Sequence, residues 1–300
     1  MSTLFRRLLK PLARRAVLPF LYQERRPLLF NHHISAKLIP LEGEKDHYVL
    51  LKSASRDSIT SSGNLPVPPK ELWEGYGDTD EEYLNGGRRH VSKMLDTLKN
   101  AGASPAAFTK VLDLGCAAGR MLRFYPNQSD SSELWGVDVN AESIAWCQQH
   151  LGPPFRFATT TTFPHLPFED NYFDFIYAGS VFSHISDLAD AWLLECRRVI
   201  RKGGYAYITI LDRTSIDVLF SAHRESKWHH LADAIRRFDD ETSVLSKDYV
   251  SFSYVQFPYP YPQVFYDTPL LVEKWSRFAK VLSVTSKGSD YQTAILLQKN

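Results

Sequence analysis

Three hundred residues, 44% of them hydrophobic and 23% charged, can bury a sizeable core, which excludes a globally disordered chain. Thirty-five Lys and Arg against 34 Asp and Glu leave a net charge of +1, so bulk charge gives no reason to expect a nucleic-acid partner. Cys116, Cys147 and Cys196 stand far apart without a CxxC pair, which disfavours a disulfide framework or a zinc site and favours a reducing, cytoplasmic compartment; no apolar run approaches the ~18 residues of a membrane span.

Residues 1–26 carry seven basic side chains (Arg6, Arg7, Lys10, Arg14, Arg15, Arg25 and Arg26) against one acid, Glu24. Leu4, Phe5, Leu8, Leu9 and Leu12 recur at helical spacing, interrupted by Pro11 and Pro19. Such an arm either packs on the domain or frays, or it lies on an anionic membrane surface as a peripheral contact. Two short strands are expected within residues 34–52, around a turn at Gly43, and a Ser/Pro-rich linker within residues 53–70. The segment Trp73-Glu74-Gly75-Tyr76-Gly77 reads either as a lid with glycine hinges or as an ordered loop. Val91, Met94, Leu95 and Leu98 predict a helix over residues 88–98.

From Lys110 onward strands and helices alternate. Strands are expected at residues 111–114, 133–139, 155–158, 173–178 and 205–211. Helices are expected at 120–125, 141–151 and 187–200. This alternation implies a parallel sheet with helices on both faces. Residues 281–285 and 293–298 are joined too tightly for anything but an antiparallel pair. The organisation expected is an extension over 1–70 and an α/β domain over 71–300, with an aromatic-rich insertion at about 241–277.

The chemistry concentrates in Lys-Val-Leu-Asp-Leu-Gly-Cys-Ala-Ala-Gly-Arg, residues 110–120. A buried strand ends near Asp113, Gly115 permits a sharp turn, and small residues follow, leading into an expected helix N-terminus. A dinucleotide site wants G-x-G-x-x-G, but counting from Gly115 the middle glycine is Ala117 and the third is Arg120, whose bulk opposes close helix–strand packing. The stretch resembles instead the D/E-x-G-x-G-x-G motif of class I S-adenosylmethionine-dependent methyltransferases, with Asp113, Gly115 and Gly119 matching and Ala117 replacing the middle glycine. Leu-Trp-Gly-Val-Asp138 is similar to that family's second strand and its terminal acid. Leu166-Pro167-Phe168-Glu169-Asp170 with Phe173-Asp174 resembles its entry to strand four, and Arg197 to Gly204 its turn into strand five.

The resemblance implies a Rossmann-like seven-stranded sheet, mostly parallel with a C-terminal antiparallel hairpin. It also implies S-adenosyl-L-methionine as cofactor. Carried onto matching positions, cofactor contacts fall at Asp113, Gly115, Cys116, Ala117 and Gly119, and at Asp138, which would accept from the ribose hydroxyls. Val139, Thr162 and Gly179 complete the set, Thr162 through its hydroxyl or a backbone carbonyl near the adenine. Arg120 reaches the cofactor carboxylate or caps the turn. The sequence departs from family members that methylate adenine or glutamine amide nitrogen, because Ala178-Gly179-Ser180-Val181-Phe182 follows strand four in place of N/D-P-P-Y/F. No Pro-Cys pair suggests cytosine-C5 chemistry.

Methyl transfer from a sulfonium needs alignment first and a general base only where the nucleophile must lose a proton. His184, after strand four, is either that base or a helix-entry residue. Residues 249–266 gather eight Tyr and Phe rings, among them Tyr254, Tyr259, Tyr261 and Tyr266, and form either a substrate wall or a β-rich flap packed as core. The function expected is transfer to a small-molecule or glycan-like acceptor at oxygen, by in-line displacement. The rivals are a cofactor-binding protein without transferase activity and a protein or RNA methyltransferase.

Overall fold

A computed structural model of the chain describes residues 65–126, 131–221, 232–233, 235–236, 249–256 and 259–300. The basic arm, the two strands expected within 34–52 and most of the Ser/Pro linker lie outside these residues. The end of that linker packs on the domain: Pro68 is buried, the Trp73 indole donates to its carbonyl (2.8 Å), and Arg123 donates to the Pro66 carbonyl (2.6 Å).

Seven strands form one sheet: β1 (Lys110–Leu114), β2 (Glu133–Asp138), β3 (Phe155–Thr159), β4 (Phe173–Ala178), β5 (Ile200–Ile210), β8 (Lys280–Ser289) and β9 (Gln292–Gln298). Their order is β3-β2-β1-β4-β5-β9-β8. The first five run parallel and β9 joins antiparallel to both β5 and β8. The sheet therefore reverses strand order beside β1 and β4, and open α/β sheets bind ligands in the crevice at such a switch. Strand side chains divide between two cores, as alternation requires. Leu112, Leu114, Ile176 and Ile208 join Trp192 and Trp275 on one face. Val111, Leu134, Phe175 and Tyr207 join Val91, Met94 and Ile144 on the other.

The helices are α1 (Asp80–Asn100), α2 (Ala141–His150), α3 (Ala189–Val199), α4 (Arg213–Ser221) and α5 (Thr268–Trp275). Helix α1 begins eight residues before the expected helix. Thr79 caps it by accepting from the Glu82 amide (3.2 Å), and Asp80, Glu81 and Glu82 favour its positive end. Its early turns bury only Tyr83 and Gly87, so the apolar period becomes readable late. The glycine at 87 answers a close approach: a Cβ there would lie 2.4 Å from the Arg120 carbonyl.

Three expectations are corrected. No α-helix follows the glycine turn; residues 117–121 are turns and only the 3-10 turn Leu122–Phe124 follows, so there is no helix N-terminus of useful length at this point. Helix α3 starts at Ala189 without a side-chain cap, leaving Asp187 outside it and exposed. The Arg-Lys-Gly-Gly run lies within β5 as an irregularity, with Gly203 at φ +74° and the register with β4 shifting between Phe173 and Phe175. The Leu-Pro-Phe loop before β4 is fastened by Arg198, which donates to the Glu195 and Asp170 carboxylates and to the Leu166 and Phe168 carbonyls.

The aromatic segment is an antiparallel hairpin of β6 (Tyr249–Gln256) and β7 (Tyr259–Tyr266), a separate two-stranded sheet. It is moored to the main sheet where the Tyr266 amide donates to the Leu211 carbonyl (2.8 Å). Helices α4 and α5, absent from the sequence reading, flank it in the chain. Helix α5 opens on Asp267, which accepts from the Leu270 amide (3.0 Å), with Pro269 in its first turn.

Candidate functional site

Beyond the C-terminal end of β1 the chain turns on Gly115 at φ +78°, where a Cβ would come within 2.3 Å of Val181. Ala117 then adopts φ +45°, a left-handed conformation that costs an L-residue ~1–2 kcal/mol. A carboxylate holds it there. Asp138, at the end of β2, accepts from the Ala117 amide through Oδ2 and from the Asn140 amide through Oδ1, both at 2.8 Å. Burial pushes the Asp138 carboxyl upward, against the opposing bonds from the amides of Asn140, Ala117 and Val139. Because glycine adopts this backbone freely, Ala117→Gly should leave stability unchanged or raise it by up to about 1 kcal/mol. A denaturant-midpoint loss of more than ~1 kcal/mol in that variant would contradict this account of the turn.

Above the turn lies a small cavity, about 30 Å³ in volume. Asp113, Gly115, Cys116, Ala117, Arg120 and Gly179 line it, together with Met121. Its remaining walls come from the segment ahead of α1 and from α1 itself: Trp73, Tyr76 and Tyr83. Gly119, Asp138, Val139 and Thr162 are not among its lining. Gly119 faces Leu151 and Cys147 in the packing below, and the Thr162 carbonyl accepts from the Trp192 indole (3.2 Å).

The segment at 73–77 is an ordered cover over this cavity. Trp73 stacks on Tyr83 with ring centroids 4.9 Å apart, and Tyr76 lies under the Arg120 guanidinium at 3.8 Å. Asn140 donates to Glu74 (3.4 Å), which brings a second, solvent-exposed carboxylate near Asp138. Asp113, inside the cavity, is pushed up to about 8 by burial, with a smaller contribution from Asp138 and opposition from Tyr177 and Arg120. Near neutral pH it is mostly protonated and contributes little negative charge to the site.

Two buried polar atoms at this cavity have no hydrogen-bond partner among the described residues: Arg120 Nη1 and the Tyr83 hydroxyl, on side chains of residues 7% and 1% exposed. Buried donors are normally satisfied, so both mark a place where a ligand or water accepts. These donors and the turn at residues 115–119, beside the Asp138 carboxylate, suit an amino-acid nucleoside such as S-adenosylmethionine. They offer a cation for a carboxylate, small residues for close approach and an acid for ribose hydroxyls.

At the neighbouring edge of the sheet, Ser180 turns the chain out of β4 at φ +61°. Its amide donates to Thr209 (2.7 Å) and its hydroxyl accepts from Gln292 (2.8 Å). His184 follows in the 3-10 turn Phe182–His184, which packs against β7, and its Nδ1 lies 3.5 Å from the Gln263 amide nitrogen. The hairpin and His184 thus adjoin. Tyr266 departs from its expected place in a substrate wall: it is buried, and its hydroxyl donates to the Phe182 and Ile185 carbonyls (3.0 and 2.8 Å), which makes it a fastener of the His184 turn. Tyr254 and Tyr261 pair in register across the hairpin and Tyr259 begins β7; the side chains of all three lie outside the described set.

Sequence reasoning missed Tyr83, Met121 and His90. Tyr83 and His90 share the buried stripe of α1 with Gly87, Val91 and Met94, so a polar residue on that stripe was the available signal.

Residues 112–208 match the model of a methyltransferase domain. Among curated proteins, the ubiquinone/menaquinone biosynthesis C-methyltransferase UbiE of Cupriavidus pinatubonensis is 26% identical over 188 residues, covering 56% of this chain and 75% of that protein. A ubiquinone biosynthesis O-methyltransferase of Rhizobium rhizogenes is 25% identical over 132 residues, covering 42% of this chain and 52% of that protein. The chain thus spans between half and three quarters of the length of these relatives. Among solved structures, the PH0226 protein of Pyrococcus horikoshii OT3 shares the fold with a TM-score of 0.51 at 17% identity, over 78% of this chain and 100% of that one.

Proposed function

Since the chain belongs to the class I S-adenosylmethionine-dependent methyltransferases, we propose that it methylates a small-molecule or glycan-like acceptor at a hydroxyl oxygen by in-line displacement. The observation that carries this reading is the cavity over residues 115–120, with its unpartnered Arg120 and Tyr83 donors beside the Asp138 turn. Arg120 receives the amino-acid carboxylate in it, residues 115–119 let the cofactor approach the backbone, and Asp138, behind the turn and outside the lining, accepts from the ribose hydroxyls. When bound, S-adenosylmethionine supplies an activated methyl group on a sulfonium. The tryptophan and tyrosine cover at 73–77 excludes water, which favours alignment over solvation of the reacting groups. The acceptor enters between His184 and the β6–β7 hairpin, where His184 takes the hydroxyl proton.

Quinone-pathway C- and O-methyltransferases among the relatives support a small-molecule acceptor, and the choice of oxygen rests on the place of His184. The test is turnover with S-adenosylmethionine across hydroxyl, phenol and sugar acceptors. Oxygen-methylated product supports the reading, whereas product methylated only at carbon, protein or RNA, or cofactor binding without any turnover, overturns it.

No helix among the described residues is long and apolar enough to cross a membrane. The seven basic residues of 1–26 would instead give a peripheral contact. Full-length protein should co-sediment with anionic vesicles at low salt, less so as salt rises or when residues 1–26 are deleted, with cofactor affinity unchanged by the deletion. No sedimentation at low salt contradicts the membrane role.

A further inference from the structure

His90 is a polar residue on the apolar face of α1, only 3% exposed. Its Nδ1 lies 3.1 Å from Arg120 Nη2, and its Nε2 lies 2.9 Å from Asp290 Oδ2, on the turn between β8 and β9. The other Asp290 oxygen takes Arg89 Nη2, also at 2.9 Å. A guanidinium only donates, so His90 Nδ1 must accept from Arg120. The ring proton therefore sits on Nε2, the nitrogen that faces Asp290 Oδ2, which fixes the neutral tautomer. Burial, the largest influence, lowers the His90 pKa and keeps the ring neutral against the pull of Asp290. Burial also works to raise the Asp290 carboxyl, but the bonds from His90 and Arg89 outweigh it and hold it well below the usual carboxylate range.

Among the described residues, this arrangement leaves the Arg120 charge without an ion-pair partner. Its partner in the chain is a neutral imidazole, and the nearby carboxylate of Asp290 is already shared by His90 and Arg89. A buried cation without an ion partner is costly unless a ligand supplies the anion. The guanidinium is also fixed in place. Tyr76 stacks beneath it, and Gly87 lets α1 touch the Arg120 backbone, which leaves Nη1 as the donor without a partner among the described residues.

We propose that His90 and Asp290 are positioning residues, a relay from the β8–β9 turn through α1 that holds Arg120 as the receptor for the carboxylate of the cofactor's amino-acid end. This rests on the reading that the cavity takes S-adenosylmethionine.

The experiment compares two ligands on the full chain by calorimetry: S-adenosylhomocysteine and 5′-methylthioadenosine, which keeps the adenosine and thioether but lacks the amino-acid carboxylate. The wild type should bind the first more tightly. His90→Leu should weaken S-adenosylhomocysteine ~10-fold, the worth of one charge-assisted hydrogen bond, while leaving 5′-methylthioadenosine unchanged. His90→Gln, whose amide both accepts and donates, should restore most of the preference. Asp290 is 35% exposed, so Asp290→Asn removes charge at a site water can reach and keeps the test open if His90→Leu does not fold; it should shift the ratio in the same direction. An unchanged ligand ratio in the folded variants, or an equal loss for both ligands, overturns the relay. Failure of folded wild type to bind either ligand overturns the reading of the cavity itself.

Discussion

Replacing His184 with alanine is expected to slow methylation of a hydroxyl acceptor ~10²–10⁴-fold while leaving S-adenosylhomocysteine affinity unchanged. His184 follows β4 by way of the strained Ser180 turn. Tyr266 pins the two carbonyls on either side of it, and Gln263 of β7 lies against its ring. These contacts fix the imidazole at the edge where the hairpin meets the sheet, outside the lining of the cofactor cavity. Loss of the ring therefore removes a proton acceptor without removing a cofactor contact. Undiminished turnover on a hydroxyl acceptor would leave alignment alone as the source of rate.

Asp138→Ala is expected to weaken cofactor binding by about 10²–10⁴-fold, from two charge-assisted bonds at roughly 1.5–3 kcal/mol each. The carboxylate has a second duty, because it holds Ala117 in its left-handed conformation through the 2.8 Å bond to its amide. On the proposed reading, alanine at 138 removes the ribose acceptor, and it also removes the bond that holds the Ala117 amide. Asp138→Asn keeps one carbonyl oxygen and should lose less. Burial raises the Asp138 carboxyl, so protonation sets in above the ordinary carboxylate range. Cofactor affinity should accordingly fall as pH drops, beginning in that raised range, and the variant should lack this dependence. Titration with S-adenosylhomocysteine at two pH values checks both statements; an unchanged Kd in folded Asp138→Ala contradicts them.

The parallel part of the sheet was legible in the sequence because β1 to β4 are runs of five or six residues dominated by apolar side chains. Asp113, Gly115 and Asp138 were legible because strand ends and sharp turns restrict residue type. The antiparallel close of the sheet followed from the shortness of the connection between β8 and β9. What escaped is mostly non-local. Where a helix was expected at 120–125, Gly87 of α1 packs close to the Arg120 carbonyl, a contact with a distant element. The cover at 73–77 is held by Trp73 on Tyr83 and Tyr76 on Arg120, contacts that no local pattern announces. Asp290 meets His90 across 200 residues of chain. Helix α5, by contrast, announced itself by Asp267 and Pro269 at its start and was missed because its apolar run is short.

Calorimetric titration of the full chain with S-adenosylhomocysteine, paired with thermal unfolding of the same sample, tests whether the Asp113-to-Arg120 turn and its aromatic cover form an S-adenosylmethionine site. One saturable site is expected, with a Tm that rises with ligand concentration, as it must for a ligand that binds only the folded chain. A cooperatively unfolding sample that shows neither binding heat nor any shift in Tm would contradict it.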